Sequence, residues 1–290
     1  MFEFLAQTFV NGINVGALYG LAAVGLSLIF GVMRILNVAH GQFLMIGGYI
    51  GFWLFTLYGF DPFMGLPLVV IFLFLFGAAF YKTVFARVAR FHEELKLKNS
   101  LLIAFGLSFI FPQIAMVLWT SDERAISPVY SGKAFNILGI RWGYVPLCGV
   151  LVALIVIIAL QLFLTKTYFG KSLRGTAENW KAAKLSGIDI DRTFTITFGL
   201  GISLAGLAGV LIGLIQELTP VMGMPWTLKA IIVVVLAGMG SIGGAFIAGL
   251  ILGIVEAVSA IFMGPYTIAI GMLIFLIILM VRPQGLFGRI

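Results

Sequence analysis

"VLVALIVIIALQLFL", residues 150–164, contains one polar side chain, Gln161, and no alternation of apolar with polar positions. A membrane barrel strand alternates over about ten residues, so this run argues against a barrel and for a helix in lipid. With its flanks the segment covers 144–165, and a helix rising about 1.5 Å per residue crosses a hydrocarbon core of about 30 Å in roughly 20 residues. Comparable runs lie at 9–32, 42–59, 63–83, 99–119, 194–215, 229–263 and 266–281. The 290-residue chain is 61% hydrophobic and 10% charged, with mean hydropathy +1.15. Soluble domains hold about 45–50% apolar and 25% charged residues. These features predict an all-α polytopic membrane protein of about eight transmembrane segments, forming a single domain over 1–290, with broken or re-entrant helices.

Charge sets the expected orientation. "KTVFARVARFHEELKLK" (82–98) holds five Lys/Arg and 166–192 holds six, which by the positive-inside rule puts both in the cytoplasm. The N-terminus, the loop 121–143 and "QELTPVMGMPW" (216–226) then lie outside. "MFEFLAQTF" lacks the basic start of a cleavable signal, so the first segment is expected to remain as a span. Although the net charge is +7, the basic residues sit in particular loops rather than along a surface that nucleic acid would need. The single cysteine, Cys148, excludes a disulfide framework within the chain and a cysteine zinc cluster.

Segment 229–263 is too long for one upright crossing, and its glycines Gly238, Gly240, Gly243 and Gly244 mark the expected break. If its two pieces form a re-entrant pair, the C-terminus, with Arg282 and Arg289, returns to the cytoplasm; if they run straight through, it ends outside. The Gly-rich interruptions "NVAHGQFLMIGG" (37–48) and "LAGMGSIGG" (236–244) suggest an inverted repeat. Glycines along 199–213 fit close helix packing, with a gating hinge as the other reading. Two nucleotide motifs fail. "GMGSIG" (238–243) precedes an all-round apolar segment rather than a soluble βαβ unit, and "FGKS" (169–172) has Thr165 where a phosphate loop requires glycine.

One polar island remains, "RGTAENWKAAKLSGIDIDRT" (174–193). Thr176 is a candidate cap and Gly187 a candidate terminator for a helix of about ten residues. Glu178, Lys181 and Lys184 would project from one side, and Asn179, Ala182, Ala183 and Ser186 would form a small-residue face. Physics alone leaves two readings open: insertion into a partner's groove, or a helix lying on lipid headgroups.

"KAAKLSGI" (181–188) is similar to the cytoplasmic Ala-Ala-x-x-x-Gly coupling motif of ABC-importer permeases, with Lys181 where many of them carry Glu. Together with 11–49, 170–198, 236–257 and "RPQGLFGR" (282–289), it resembles the branched-chain amino acid permease family of ABC importers. That resemblance implies a prokaryotic inner-membrane subunit working with a second permease, as a heterodimer or homodimer. It also implies two ATPase subunits, which would carry ATP and Mg, and an extracytoplasmic solute-binding protein; the chain itself would bind no cofactor. Relatives of this type also carry urea, amides and organic acids. Within the scheme 166–193 is the coupling loop, with Arg174, Glu178, Trp180, Lys181, Ala182, Ala183, Lys184, Leu185 and Gly187 as its coupling residues. Ala183→Glu is expected to leave the chain folded and to stop uptake.

Polar side chains within spans are the pathway candidates. Asn37, His40 and Gln42 belong to a block similar to the family's Asn-x-Ala-His-Gly motif; they either line a gate or cap a broken helix near the cytoplasmic surface. Asn11 and Asn14 either line the entrance or satisfy one another. Glu256 is expected to be paired, and Gln216 and Glu217 either meet the binding protein or form a solvated loop. A secondary transporter or channel would share broken helices without needing a docking helix, and a membrane enzyme would need convergent catalytic groups beyond His40 and Glu256.

Overall fold

The computed structural model describes residues 2–137, 139–264, 267–282 and 284–288. In chain order these form α1 (Phe2–Met33), α2 (His40–Tyr58), α3 (Pro62–Phe80), α4 (Glu93–Trp119), a hairpin of β1 (Ala134–Ile137) and β2 (Ile140–Gly143), and α5 (Tyr144–Lys166). They continue with α6 (Tyr168–Leu185), α7 (Ile190–Gly213), α8 (Gly223–Ala237), α9 (Ile242–Met263) and α10 (Thr267–Val281). The helices α1, α3, α4, α5, α7 and α9 are long and apolar enough to cross a membrane. Against the eight or so segments expected, α2 falls short because His40, Gln42 and its glycines dilute its apolar character. At 15 residues each, α8 and α10 reach only about 22 Å.

Burial separates the helices into a core and a rim. In α1 and α7, 89% of the apolar window is buried, whereas α3, α4 and α5 bury 22–28% of theirs. A helix apolar on every side suits either protein or lipid around it. Small residues decide between these surroundings. The α1 glycines Gly12, Gly16 and Gly20 face Ile254, Leu250 and Phe246 of α9 in descending order, so the two helices run antiparallel in backbone contact. A methyl built on Gly253 would collide with the Gly16 backbone. In lipid no hydrophobic force presses helices together, and such contact supplies the dispersion and Cα–H···O attraction that does.

The two ends of the bundle differ. At one end the Gln7 side chain bonds both the N–H (2.8 Å) and the carbonyl (2.9 Å) of Arg141 in β2, and Arg124 pairs its backbone with Leu218. The α1 N-terminus, 121–143 and 216–222 therefore share this hairpin end. The opposite end carries α6, where Arg90 pairs with Asp191 at 3.3 Å and joins the two basic stretches. The hairpin itself was not expected from the sequence; its signal is Gly139 (φ +80°) between two short β-prone runs.

Helix α8 breaks from α9 at Gly238–Ser241, and both Gly238 (φ +96°) and Gly240 (φ +92°) have positive φ. Gly243 and Gly244 already belong to the first turn of α9, so the break is narrower than the sequence suggested. Gly31 near the end of α1 packs on Gly240, which locates the break at the α6 end. Leu286 and Phe287 donate their N–H groups to the carbonyls of Leu236 and Ala237, each at 2.8 Å. The chain after α10 thus returns to the end where α8 turns into α9, which excludes the straight-through alternative. Arg282 lies in this returning segment, and Arg289 is outside the described residues.

Gly253→Leu should lower thermal stability of the purified chain by about 3 kcal/mol through overpacking. Gly106→Leu, where added bulk meets open space, should leave the melting temperature within a degree or two of the parent.

Candidate functional site

Helix α6 is two pieces. Asn179 (φ −153°, ψ 97°) interrupts it, and its Oδ1 accepts from the N–H groups of Lys181 (3.1 Å) and Ala182 (3.0 Å). Asn179 therefore caps the short second piece, Trp180 to Leu185. Thr176 is no cap: it is buried within the first piece and its hydroxyl bonds back to the Ser172 carbonyl at 2.8 Å. The second piece ends where the Gly187 N–H bonds the Lys184 carbonyl and the Ile188 N–H bonds the Ala183 carbonyl, both at 3.1 Å. This Schellman arrangement needs a left-handed residue, and Gly187 supplies it at φ +83°.

The expected small-residue face is split. Ala182 is exposed, but Ala183 is only 6% exposed and turned into its own chain. Ala183→Glu would thus bury a charge and disturb the fold, contrary to the expectation above. Leu185 is 90% exposed and Trp180 37%, with the Lys181 ammonium 5.7 Å from the Trp180 ring centre. Arg174, Glu178 and Lys184 are exposed as well. The end of α6 is therefore an apolar tip, Leu185, within a basic surround.

The second cluster lies inside the bundle. After α1, Arg34 adopts φ +54°, and the chain turns back so that α2 starts beside the middle of α1. The His40 Nε2 lies 3.1 Å from the Ala22 carbonyl; since a carbonyl only accepts, Nε2 carries the proton. This places Asn37, His40 and Gln42, all fully buried, well within the protein rather than near a surface. Each also supports the break. Asn37 Oδ1 accepts from the Ala39 N–H at 3.1 Å. The first-turn N–H of Gly41 finds Thr227 Oγ1 of α8 at 2.8 Å. Gln42 Nε2 donates to the Ser108 carbonyl of α4 at 3.2 Å, the carbonyl four residues before Pro112, which has no N–H to offer it. Asn37 Nδ2, His40 Nδ1 and Gln42 Oε1 are buried with no partner among the described residues.

Toward the hairpin end, Glu256 is paired, as the sequence suggested, but with a partner it did not identify. Lys229 of α8 binds its Oε1, and the Tyr19 hydroxyl donates to its Oε2 at 2.8 Å. Trp226 packs edge-on against Tyr19 at 5.3 Å. The pair ties α1, α8 and α9 together where lone charges would be costly in lipid. Asn11 and Asn14 do not satisfy one another: Asn11 Oδ1 accepts from Gln7 Nε2 at 3.2 Å, and Asn14 Oδ1 is buried without a partner among the described residues. The neighbouring Glu123 carboxyl raises the pKa of the exposed Glu217, in the loop after α7, above the usual carboxylate value.

A multi-pass bundle with interrupted helices in its interior and a capped polar segment at one end is the architecture of a membrane permease. The family described as "Branched-chain amino acid transport system / permease component" matches residues 8–282, and the chain belongs to it. It is 33% identical to the high-affinity branched-chain amino acid transport system permease protein BraD of Pseudomonas aeruginosa, over 98% of this chain and 95% of that one. It is 31% identical to the LivH permease proteins of Salmonella typhimurium and Escherichia coli K12, over 99% of this chain and 97% of each. No solved structure matches the chain.

Gln42→Leu should destabilise the protein by about 1–3 kcal/mol, because it strips the Ser108 carbonyl of its donor. Pro112→Ala restores an in-helix N–H for that carbonyl, so the double variant should recover part of the loss. Thermal melts of the two single variants and the double variant measure the coupling.

Proposed function

We propose that this chain is the membrane-spanning permease subunit of an ABC importer, passing branched-chain or closely related amino acids across the prokaryotic inner membrane. Two separate ATPase subunits bind ATP and Mg and drive it, a second permease completes the pathway, and an extracytoplasmic solute-binding protein delivers the cargo. The α6 end faces the cytoplasm together with the C-terminus, and the hairpin end, with the N-terminus, faces outward. Eleven Lys/Arg in 82–98 and 166–192 support this orientation.

The observation that carries the reading is the tip of α6. Leu185 is a large apolar side chain left almost wholly in solvent, and it is held there by the Asn179 cap and the Gly187 terminator. A fixed apolar knob in a charged surround suits a groove on a protein partner better than diffuse attraction to headgroups. Arg174, Glu178, Trp180, Lys181, Ala182, Lys184 and Gly187 complete the coupling segment, with Ala183 anchoring it to the bundle. Asn37, His40 and Gln42 form the movable break of the pathway, and Asn11 and Asn14 flank its outer entrance. Gly238 and Gly240 are the flexible points of the second break.

Leu185→Glu should leave the amount of protein in the membrane unchanged, abolish copurification of ATPase subunits in mild detergent, and reduce chain-dependent uptake of labelled leucine at least tenfold. Uptake at the parent rate, without any captured ATPase, would reject coupling through α6.

A further inference from the structure

A cavity of about 560 Å3 opens at the α6 end, between the ends of α1 and α5, the first piece of α6 and the start of α9. Its wall has three kinds of chemistry. Ser27 contributes a hydroxyl that is fully buried and has no partner among the described residues. Ser241, Ile242 and Gly243 bring the start of α9. The Ser241 side chain takes the Gly244 N–H, while Ile242 and Gly243, as first-turn residues, have no carbonyl one turn back in the helix to receive theirs. Arg34 and Arg174 add positive charge, and Glu178 supplies a carboxylate. Leu28 and Leu164 line the rest with hydrocarbon.

We infer that this cavity is a binding site for a zwitterionic aliphatic amino acid at the α6 end of the bundle. The carboxylate sits at the α9 N-terminus and accepts from the Ser27 hydroxyl, where the helix dipole and the arginines favour a negative charge. The ammonium faces Glu178, and the aliphatic side chain lies along Leu28 and Leu164. The wall carries both signs of charge beside apolar surface, which distinguishes it from a simple anion site. Because Arg174 and Glu178 stand on α6 just before the Asn179 kink, an amino acid held here bears directly on the placement of the α6 tip. This inference rests on the proposed transport of amino acids and adds a site for the cargo on the cytoplasmic side.

The test uses the full chain in lipid nanodiscs, with tritiated leucine and competition by unlabelled leucine, isovalerate and isoamylamine. Saturable binding is expected, with isovalerate and isoamylamine each competing at least about tenfold more weakly than leucine. Ser27→Ala and Glu178→Gln should each weaken leucine binding by about tenfold, the worth of one hydrogen bond or contact to a charged group. Absence of saturable binding, equal competition by isovalerate, or parent affinity in both variants would overturn the site. Chain-dependent leucine uptake in cells is measured in parallel. If uptake persists while the binding result is negative, the site is wrong and the transport reading stands; if no leucine is taken up, the transport reading itself fails.

Discussion

In the hydrocarbon of a bilayer no water is at hand for a backbone N–H or carbonyl, so every departure from regular helix must find its partners inside the protein. That constraint organises this bundle. The helical hydrogen-bond ladder is broken at Arg34–Ala39 and Gly238–Ser241 and loses one bond at Pro112, and each site is answered by a group from elsewhere. Thr227 receives the first-turn amide of Gly41, Gln42 serves the carbonyl freed by Pro112, and Leu286 and Phe287 serve the last carbonyls of α8. The ends of α2 and α8 that adjoin the breaks, His40–Met45 and Leu236–Ala237, are consequently buried among their neighbours. The rim helices α3, α4 and α5 have no such break in their course, and apart from the ladder positions lost at Pro67 and Pro112 they satisfy most of their own backbone.

The same logic governs charge. Lys229 and Glu256 are tolerated because they face one another and Tyr19, whereas most of the remaining charge gathers at the two ends. Inside, the unpartnered atoms of Asn37, His40 and Gln42 lie on a segment fixed by several weak bonds to three different helices rather than by one continuous ladder. Few partners therefore hold this segment compared with a regular helix, and that sparse hydrogen bonding is what the proposed movable role of Asn37, His40 and Gln42 rests on.

Much of the fold was legible because membrane thickness imposes a length on every span: the far ends of the apolar runs fall within a few residues of the helix ends, while α1, α4 and α8 start six or seven residues earlier than the runs do. The break in 229–263 was legible because glycines mark it. What escaped the sequence was depth and facing. Nothing in "NVAHG" says that α2 begins beside Ala22 rather than near a surface, since that depends on how far the chain turns back after Arg34. Thr176 and Asn179 are both good caps by residue type, and only the burial of Thr176 against the bundle decides between them. The spacing of Ala182 and Ala183 likewise marks a small face without saying that α6 would turn Ala183 inward. Gln42 and Ser108 are 66 residues apart, and Lys229 and Glu256 are 27 apart; neither link has a local signature.

The tail that follows α10 has a consequence for how the protein is made. Synthesis runs from the N-terminus, so the carbonyls of Leu236 and Ala237 are made about 50 residues before the amides of Leu286 and Phe287 that bond them. During that interval the carbonyls of Leu236 and Ala237 have no partner from the tail, and the α8–α9 turn is incomplete. Closure of the α8–α9 turn therefore waits on the segment that follows α10.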